Sequence, residues 1–193
     1  MGEIRPIIKN KFGNLNSSDN YRPIMISSNL LKLFEYCLLQ DLENFIKLNL
    51  NQYGFRKNTS TIMAVTMVKE TIFSYSAGNT CVFASFLDMS KAFDRVNHFK
   101  LLRKLMSLGI PSYMIAILFN MYRNQNVYVT FNNCISNVWK LGNGVRQGGI
   151  ISPLLFNFYI DEVLNCVTTM NVGCKLGLKM NNIQAYADDI VLL

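Results

Sequence analysis

The sequence predicts an α+β fold in which long helices pack against a few short strands. Three observations carry this. Residues 28–48 place Leu30, Leu31, Phe34, Leu38, Leu42, Phe45 and Ile46 at helical spacing. Residues 81–88 form an apolar run rich in strand-favouring residues and ending in an acid. Residues 126–131 alternate in the manner of a half-buried strand. The chain has 193 residues, half of them hydrophobic, enough for one domain with a real core. That hydrophobic content argues against disorder.

Taken in order, residues 1–20 read as a short strand and a loop. Ser27 or Ser28 caps the first helix, which runs to about residue 48. A second helix spans 61–74. The run 81–88 follows as a strand whose continuous apolar character predicts burial on both faces, with Val82, Ala84, Phe86 and Asp88 on one side. Helices fit 99–107 and, after Pro111, 112–122. The strand 126–131 pairs with 136–141 around Asn132-Asn133, a pair suited to a hairpin turn. Ser152 and Pro153 open a helix to about residue 168, the serine as cap and the proline at the first helical position. Residues 175–178 and 183–186 are short strands around a turn at Asn181-Asn182. Tyr186-Ala187-Asp188-Asp189 is then a tight turn, and Ile190 to Leu193 a closing strand.

Formal net charge is +7, which favours a polyanionic partner, because phosphate contacts dominate nucleic-acid affinity. A basic protein without such a partner has the same composition. The basic residues are spread along the chain and form no tail. Five cysteines, Cys37, Cys81, Cys134, Cys166 and Cys174, show no C-x-x-C spacing. They read as reduced core residues of an intracellular protein in cytoplasm or nucleus, not a secreted one. No secretory signal is visible, since Glu3 and Arg5 interrupt the start, and Pro6 spoils a myristoylation signal. No apolar stretch is long enough to span a bilayer, so no membrane association is expected. With His98 the single histidine, the ligand count argues against a His-based zinc site.

Three features carry chemistry. Asp188 and Asp189 lie at a turn between apolar strands, and hard cations such as Mg²⁺ take carboxylate oxygens. Asp88 emerges at the C-terminal end of the 81–88 strand, a third acid able to join them. Three acids at one site repel unless cations neutralise them. Gly144-Val145-Arg146-Gln147-Gly148-Gly149 is a glycine-rich loop running into the helix at Ser152, and glycines let a backbone approach a ligand closely. Taken singly, the acid pair also fits a solvated turn, Asp88 a cap, and the loop an ordinary link into a core helix.

The features in this order resemble the reverse transcriptase domain of non-long-terminal-repeat (LINE-like) retrotransposons. Phe86-Leu87-Asp88-Met89-Ser90-Lys91-Ala92-Phe93-Asp94 resembles that family's first catalytic motif. The stretch from Gly144 to Phe156 resembles its Gln-Gly-x-x-x-Ser-Pro motif, and Tyr186 to Asp189 its Tyr-Ala-Asp-Asp box. Upstream, Asn20-Tyr21-Arg22-Pro23-Ile24 with Leu31-Lys32-Leu33-Phe34-Glu35 is similar to the first fingers motif. Gln52 to Thr61 is similar to the second. Arg146 stands where the family more commonly has proline, and Gly149 at a variable position.

The resemblance implies a right-hand polymerase with fingers over 1–78 and part of the palm over 79–193. The palm is expected to be incomplete just after the Tyr-Ala-Asp-Asp box, with no thumb and an exposed sheet edge prone to aggregation. It implies RNA-directed DNA polymerase activity by two-metal nucleotidyl transfer, with Asp88, Asp188 and Asp189 as catalytic and metal-binding acids. The cofactor is two Mg²⁺ ions, with Mn²⁺ a substitute. RNA template, DNA primer and deoxynucleoside triphosphates are the implied partners. Lys91, Ala92, Phe93, Gln147, Gly148, Arg22 and Arg56 match nucleotide-binding positions, Phe93 as a gate that excludes a 2′-hydroxyl. Asp94 invites comparison with viral RNA-dependent RNA polymerases. Those enzymes show Gly-Asp-Asp and a Ser-Gly motif instead, so Asp94 is expected to be a salt-bridge or capping residue. A cyclase-type palm leaves the Gln-Gly-x-x-x-Ser-Pro stretch unexplained. The alternative of another class is a catalytically inactive, truncated retroelement remnant that retains RNA binding, and the chain by itself is expected to be inactive.

Overall fold

A computed structural model describes residues 1–193. In chain order the elements are β1 (Gly2–Ile8), β2 (Tyr21–Ile26), α1 (Asn29–Phe45), α2 (Thr61–Ala77), β3 (Ser85–Asp88) and α3 (His98–Ser107). There follow α4 (Ser112–Arg123), β4 (Asn126–Phe131), β5 (Cys134–Ile135), β6 (Trp139–Lys140) and α5 (Ser152–Thr169). The last are β7 (Lys175–Leu176), β8 (Lys179–Met180), β9 (Ile183–Tyr186) and β10 (Asp189–Leu192). The mixed helix-and-sheet class is the one expected. The chain forms two compact units, residues 1–46 with 93–152, and residues 47–92 with 153–193.

In the first unit a sheet runs β2-β1-β4-β5, with β6 also on β4. β1 and β2 are antiparallel, and Pro6 faces Pro23 across the pair. Neither proline interrupts the ladder to β4, because β1 meets β4 only over Gly2–Ile4. β2 was legible only as a motif, since its single proline and polar neighbours mask the strand pattern. Ile4, Met25 and Val127 form the core beneath this sheet. The turn at Asn132-Asn133 has φ of 47° and 62°, the left-handed pair that a two-residue hairpin needs.

Helix starts follow local chemistry. Ser28 Oγ accepts from the Leu31 N–H, Ser60 Oγ from Met63, and Asn97 Oδ1 from Lys100. α3 ends at Gly109, whose φ of +74° reverses the chain into α4. α3 and α4 pack together and contribute buried Leu101, Leu105, Met114, Leu118 and Tyr122.

The buried face of α1 is narrower than its spacing predicts. Leu38, Leu42 and Ile46 are buried, but Leu30, Phe34 and Phe45 are exposed, and Glu35 is buried in their place. An ion pair described below draws this stripe toward Glu35.

In the second unit β3, β10 and β9 form an antiparallel sheet in that order. Gln52 forms an isolated parallel bridge to Ala185 of β9. The Tyr53 N–H donates to Ala185 O and the Ala185 N–H to Asn51 O, both at 2.8 Å. Leu164 of α5 closes the core with Ile183, Ala185 and Ile190.

Three expectations are corrected here. The strand expected over 81–88 is only Ser85–Asp88, and all four residues are exposed rather than buried on both faces. β3 is the end strand of its sheet, so its apolar content reflects an uncovered edge, with Phe86 75% exposed. The turn expected at Asn181-Asn182 lies instead at Gly177-Leu178, between β7 and β8, where Gly177 has φ +61°. Asn181 and Asn182 are buried. Asn181 bonds to Thr71 and Gln184, and Asn182 donates to the Val167 and Val172 carbonyls. Finally, four of the five cysteines are exposed and only Cys174 is buried, although all five are free thiols. Apolar neighbours in sequence do not place a residue in the core when they sit on an outer helix face or an edge.

Candidate active site

The second unit gathers the acids. Asp88 ends β3 and Asp189 opens β10, and the two are direct cross-strand partners. Directly opposed residues of an antiparallel pair present their side chains to the same face. Asp188 lies one residue away in the turn that joins β9 to β10, where Tyr186 pairs with Asp189. Two residues, Ala187 and Asp188, therefore make the whole turn. Ala187 has φ +56°, the left-handed value at the first central position of a tight hairpin, where glycine is the usual residue. Asp88 and Asp189 are exposed and Asp188 half-buried.

The donor set suits a hard divalent cation: three carboxylates, two face to face and the third in the adjoining turn. No three His, Cys, Asp or Glu side chains converge closely enough to form a metal-binding group as they stand. The backbone register sets two of the acids opposite one another, and the third lies one residue away in the turn.

Sequence reasoning missed what supports this turn. Gln52, fully buried, accepts the Ala187 N–H at 2.8 Å and the Gly54 N–H at 2.9 Å through Oε1. Its Nε2 donates to Ala187 O at 3.3 Å. Asn157 of α5 donates to Gly54 O at 2.7 Å. A Cβ on Gly54 would stand 2.2 Å from the Ala187 nitrogen, so only glycine lets the two backbones meet. Arg56 Nη1 donates to the carbonyls of Asn49 and Gln52 and so braces the same segment. The one sequence signal was that Gln52, Gly54 and Arg56 fall in a recognisable motif. Lys91, exposed with φ +56°, and the buried Ala92 follow β3 in this unit.

The first unit gathers other expected residues. The Val145 N–H donates to Phe93 O and the Gly144 N–H to Val96 O, both at 2.8 Å. A Cβ on Gly144 would lie 2.9 Å from the Asp94 Cα, which explains the glycine, whose φ is +91°. Gln147 Nε2 donates to Asp94 Oδ1 at 2.9 Å, so Asp94 serves as the partner of Gln147. The Met25 N–H donates to Gln147 O at 2.7 Å, and a Cβ on Gly148, φ +112°, would stand 2.7 Å from Met25 O. The loop is thus sewn to β2, the strand that carries the exposed Arg22. Phe93, Gln147 and Gly148 are brought together here.

Arg146 is the anchor of that loop. Its Nη1 donates to Glu35 Oε1 at 3.0 Å and its Nη2 to Met121 O at 3.1 Å. The Glu35 side chain is 1% exposed, and its Oε2 accepts the Ile150 N–H at 2.6 Å. The guanidinium lies 6.0 Å from the centre of the Tyr122 ring. Burial pushes the Tyr122 phenol far above its usual pKa, with Arg146 pulling it back and Glu35 pushing it further. The folded state therefore keeps the Tyr122 proton where an unfolded tyrosine, with pKa near 10, loses it. Stability is full below about pH 10 and falls above it, by up to ~1.4 kcal/mol per pH unit from this residue. Urea melts between pH 9 and 11 check this: Tyr122→Phe should flatten the alkaline slope, and an unchanged slope would refute it.

The reverse transcriptase (RNA-dependent DNA polymerase) family profile matches residues 8–193. The polyprotein of the type-2 retrotransposable element R2DM of Drosophila melanogaster is 29% identical over 174 residues. That match covers 90% of this chain and 16% of the relative. The polyprotein of an R2 element of Popillia japonica is 31% identical over 191 residues, covering 95% of this chain and 26% of the relative. The chain thus spans about a quarter or less of these relatives. Among solved structures, telomerase from Candida albicans, in complex with a fragment of telomeric RNA, is similar in fold. Its TM-score is 0.57 at 13% identity, over 99% of this chain and 36% of that one. These matches, over nearly the whole chain and with the acids in register on adjoining strands, show that the chain belongs to the reverse transcriptase family, in the branch carried by non-long-terminal-repeat retrotransposons.

Proposed function

We propose that this domain catalyses RNA-directed DNA synthesis, with Asp88, Asp188 and Asp189 forming its catalytic centre. The observation that carries the reading is the cross-strand pairing of Asp88 with Asp189, one residue from Asp188. Enzymes of this family generally use divalent metals. Asp88 and Asp188 would hold two Mg²⁺ ions, or Mn²⁺ in their place, with Asp189 adding negative charge beside them. Bound there, such ions lower the pKa of a primer 3′-hydroxyl and neutralise a leaving pyrophosphate. The chain's own work is to present carboxylates on one sheet face and to position template and nucleotide.

On this reading residues 1–78 act as fingers and 79–193 as part of the palm. Lys91, Arg22 and Arg56 are the basic residues for triphosphate or template phosphates, the two arginines suited to bidentate contacts. Gln147 and Gly148 meet the incoming nucleotide and template, and Ala92, beside Lys91, matches a position that approaches the triphosphate. The formal charge of +7 supports RNA template and DNA primer as partners, with deoxynucleoside triphosphates as substrates. No helix is long and apolar enough to cross a membrane. Five free thiols suit a reducing compartment, cytoplasm or nucleus.

The test is primer extension on an RNA template, using protein expressed from the open reading frame that carries this domain. Synthesis that requires both template and Mg²⁺ supports the reading. Salt-dependent RNA binding without extension would replace it with a non-catalytic RNA-binding remnant. Phe93 is the proposed sugar gate. Phe93→Ala should raise ribonucleotide incorporation relative to deoxynucleotide by on the order of 10- to 100-fold, since a steric exclusion of this size is worth ~1–3 kcal/mol. Unchanged sugar discrimination would remove the gate from the mechanism.

A further inference from the structure

We infer that Gln52 is the positioning residue of the catalytic turn: its carboxamide holds the Ala187 peptide in its left-handed conformation and thereby sets where Asp188 sits. The inference rests on the metal-binding reading of the acids. Gln52 touches neither metal nor substrate and acts through the backbone.

The turn poses a physical problem. Ala187 carries a Cβ, yet its φ is +56°, a conformation that a Cβ disfavours and glycine, lacking one, adopts freely. Such a residue persists only where its surroundings over-determine it. Gln52 supplies that determination from both sides, through the Oε1 bond to the Ala187 N–H and the Nε2 bond to the Ala187 carbonyl. Both partners are buried, Gln52 fully and Ala187 to 5% exposure, so water does not compete for these groups. Oε1 also takes the Gly54 N–H, which ties the clamp to its own segment. That segment is fixed to β9 by main-chain bonds on both sides of Gln52. Asn157 holds Gly54 from α5. The carboxamide is thus locked before it meets Ala187.

An amide is the side chain this task requires. It offers one acceptor and one donor in a single plane at a fixed separation. Methionine matches its length but offers no comparable donor or acceptor. Asparagine has the same group one methylene short of Ala187. With the peptide unheld, Asp188 samples more orientations and meets a cation less often in the correct one. Residues that orient metal ligands from outside their coordination sphere commonly matter in this way.

The test uses the ¹⁵N-labelled 193-residue chain as wild type, Gln52→Met and Gln52→Asn, with Asp88→Asn as control. Amide hydrogen exchange reads the clamp, and Mn²⁺ titration by electron paramagnetic resonance reads its consequence. The Ala187 and Gly54 amides should exchange on the order of 100-fold faster in both Gln52 variants. The Tyr53 and Ala185 amides, bonded to main chain, should stay protected. The Mn²⁺ dissociation constant should rise by about 10-fold or more. Asp88→Asn should weaken Mn²⁺ binding while leaving Ala187 protected. Either Gln52 variant suffices if the other does not fold. Ala187 protection or Mn²⁺ affinity unchanged in a folded variant overturns the inference while the metal reading stands. Loss of protection at all four amides together also overturns it, as the mark of a general stabilising role. A wild-type chain that binds no Mn²⁺ overturns the metal reading itself, and this inference with it.

Discussion

Asp188→Ala abolishes primer extension, lowering the rate by on the order of 10³-fold or more, equivalent to ~4 kcal/mol of transition-state stabilisation. The expectation follows from the position of the residue. Asp188 occupies the second position of a two-residue turn whose other half is clamped, so no neighbouring backbone can bring a substitute acid to the same point. Asp189 cannot stand in, because its place opposite Asp88 is set by the β3–β10 register. Removing Asp188 also removes a negative charge from a cluster of like charges, so the loss is one of chemistry and not of folding. Single-turnover extension at saturating nucleotide, with a thermal melt of the same preparation, separates the two. A folded Asp188→Ala protein that extends within tenfold of the wild-type rate would sink the assignment. The conservative Asp188→Asn should fare little better, since a neutral amide binds a hard cation far more weakly than a carboxylate does.

Arg146→Met destabilises the fold by ~3–5 kcal/mol, because it leaves the Glu35 carboxylate buried without its charge partner. Glu35→Gln alone should also be costly, since Arg146 keeps its buried charge and a single amide oxygen cannot accept from both Arg146 and the Ile150 N–H. Glu35→Gln combined with Arg146→Met removes both charges and should recover most of the loss. Replacing both members of a buried ion pair is often close to neutral, whereas removing one is not. Urea denaturation of the two single variants and the double closes the cycle. Additive losses would show that the two residues act independently, contrary to the 3.0 Å ion pair. A functional consequence is expected beside the thermodynamic one. Arg146 immediately precedes Gln147 and Gly148, so loosening it frees the loop proposed to meet the nucleotide. A Gln147 released from Asp94 would show as a raised KM for nucleotide, with a smaller change in kcat.

Helix positions were readable to within a few residues because their signals are local. Ser28, Ser60 and Asn97 cap helices through bonds to amides three residues on, and Asn132-Asn133 turns a hairpin by its own backbone preference. The order of Asp88, Gln147-Gly148 and Asp188-Asp189 was readable for a similar reason. Each motif is a short string whose chemistry depends on adjacent residues.

Burial was less readable. Phe86 and the four exposed cysteines show that apolar surroundings along the chain say nothing about whether an edge or an outer face is covered. Glu35 shows the reverse, a charged residue in the core because its partner arrives from 111 positions away.

The sequence by itself thus determined the family and the helices and supplied the candidate acids, all of which are legible from neighbours in the chain. Tertiary structure alone decided that Asp88 faces Asp189, that Arg146 meets Glu35, and that Gln52 grips Ala187 across 135 positions. Such pairings are bonds through space. Their partners are chosen by strand register and close backbone approach, and neither composition nor spacing encodes a partner that far away.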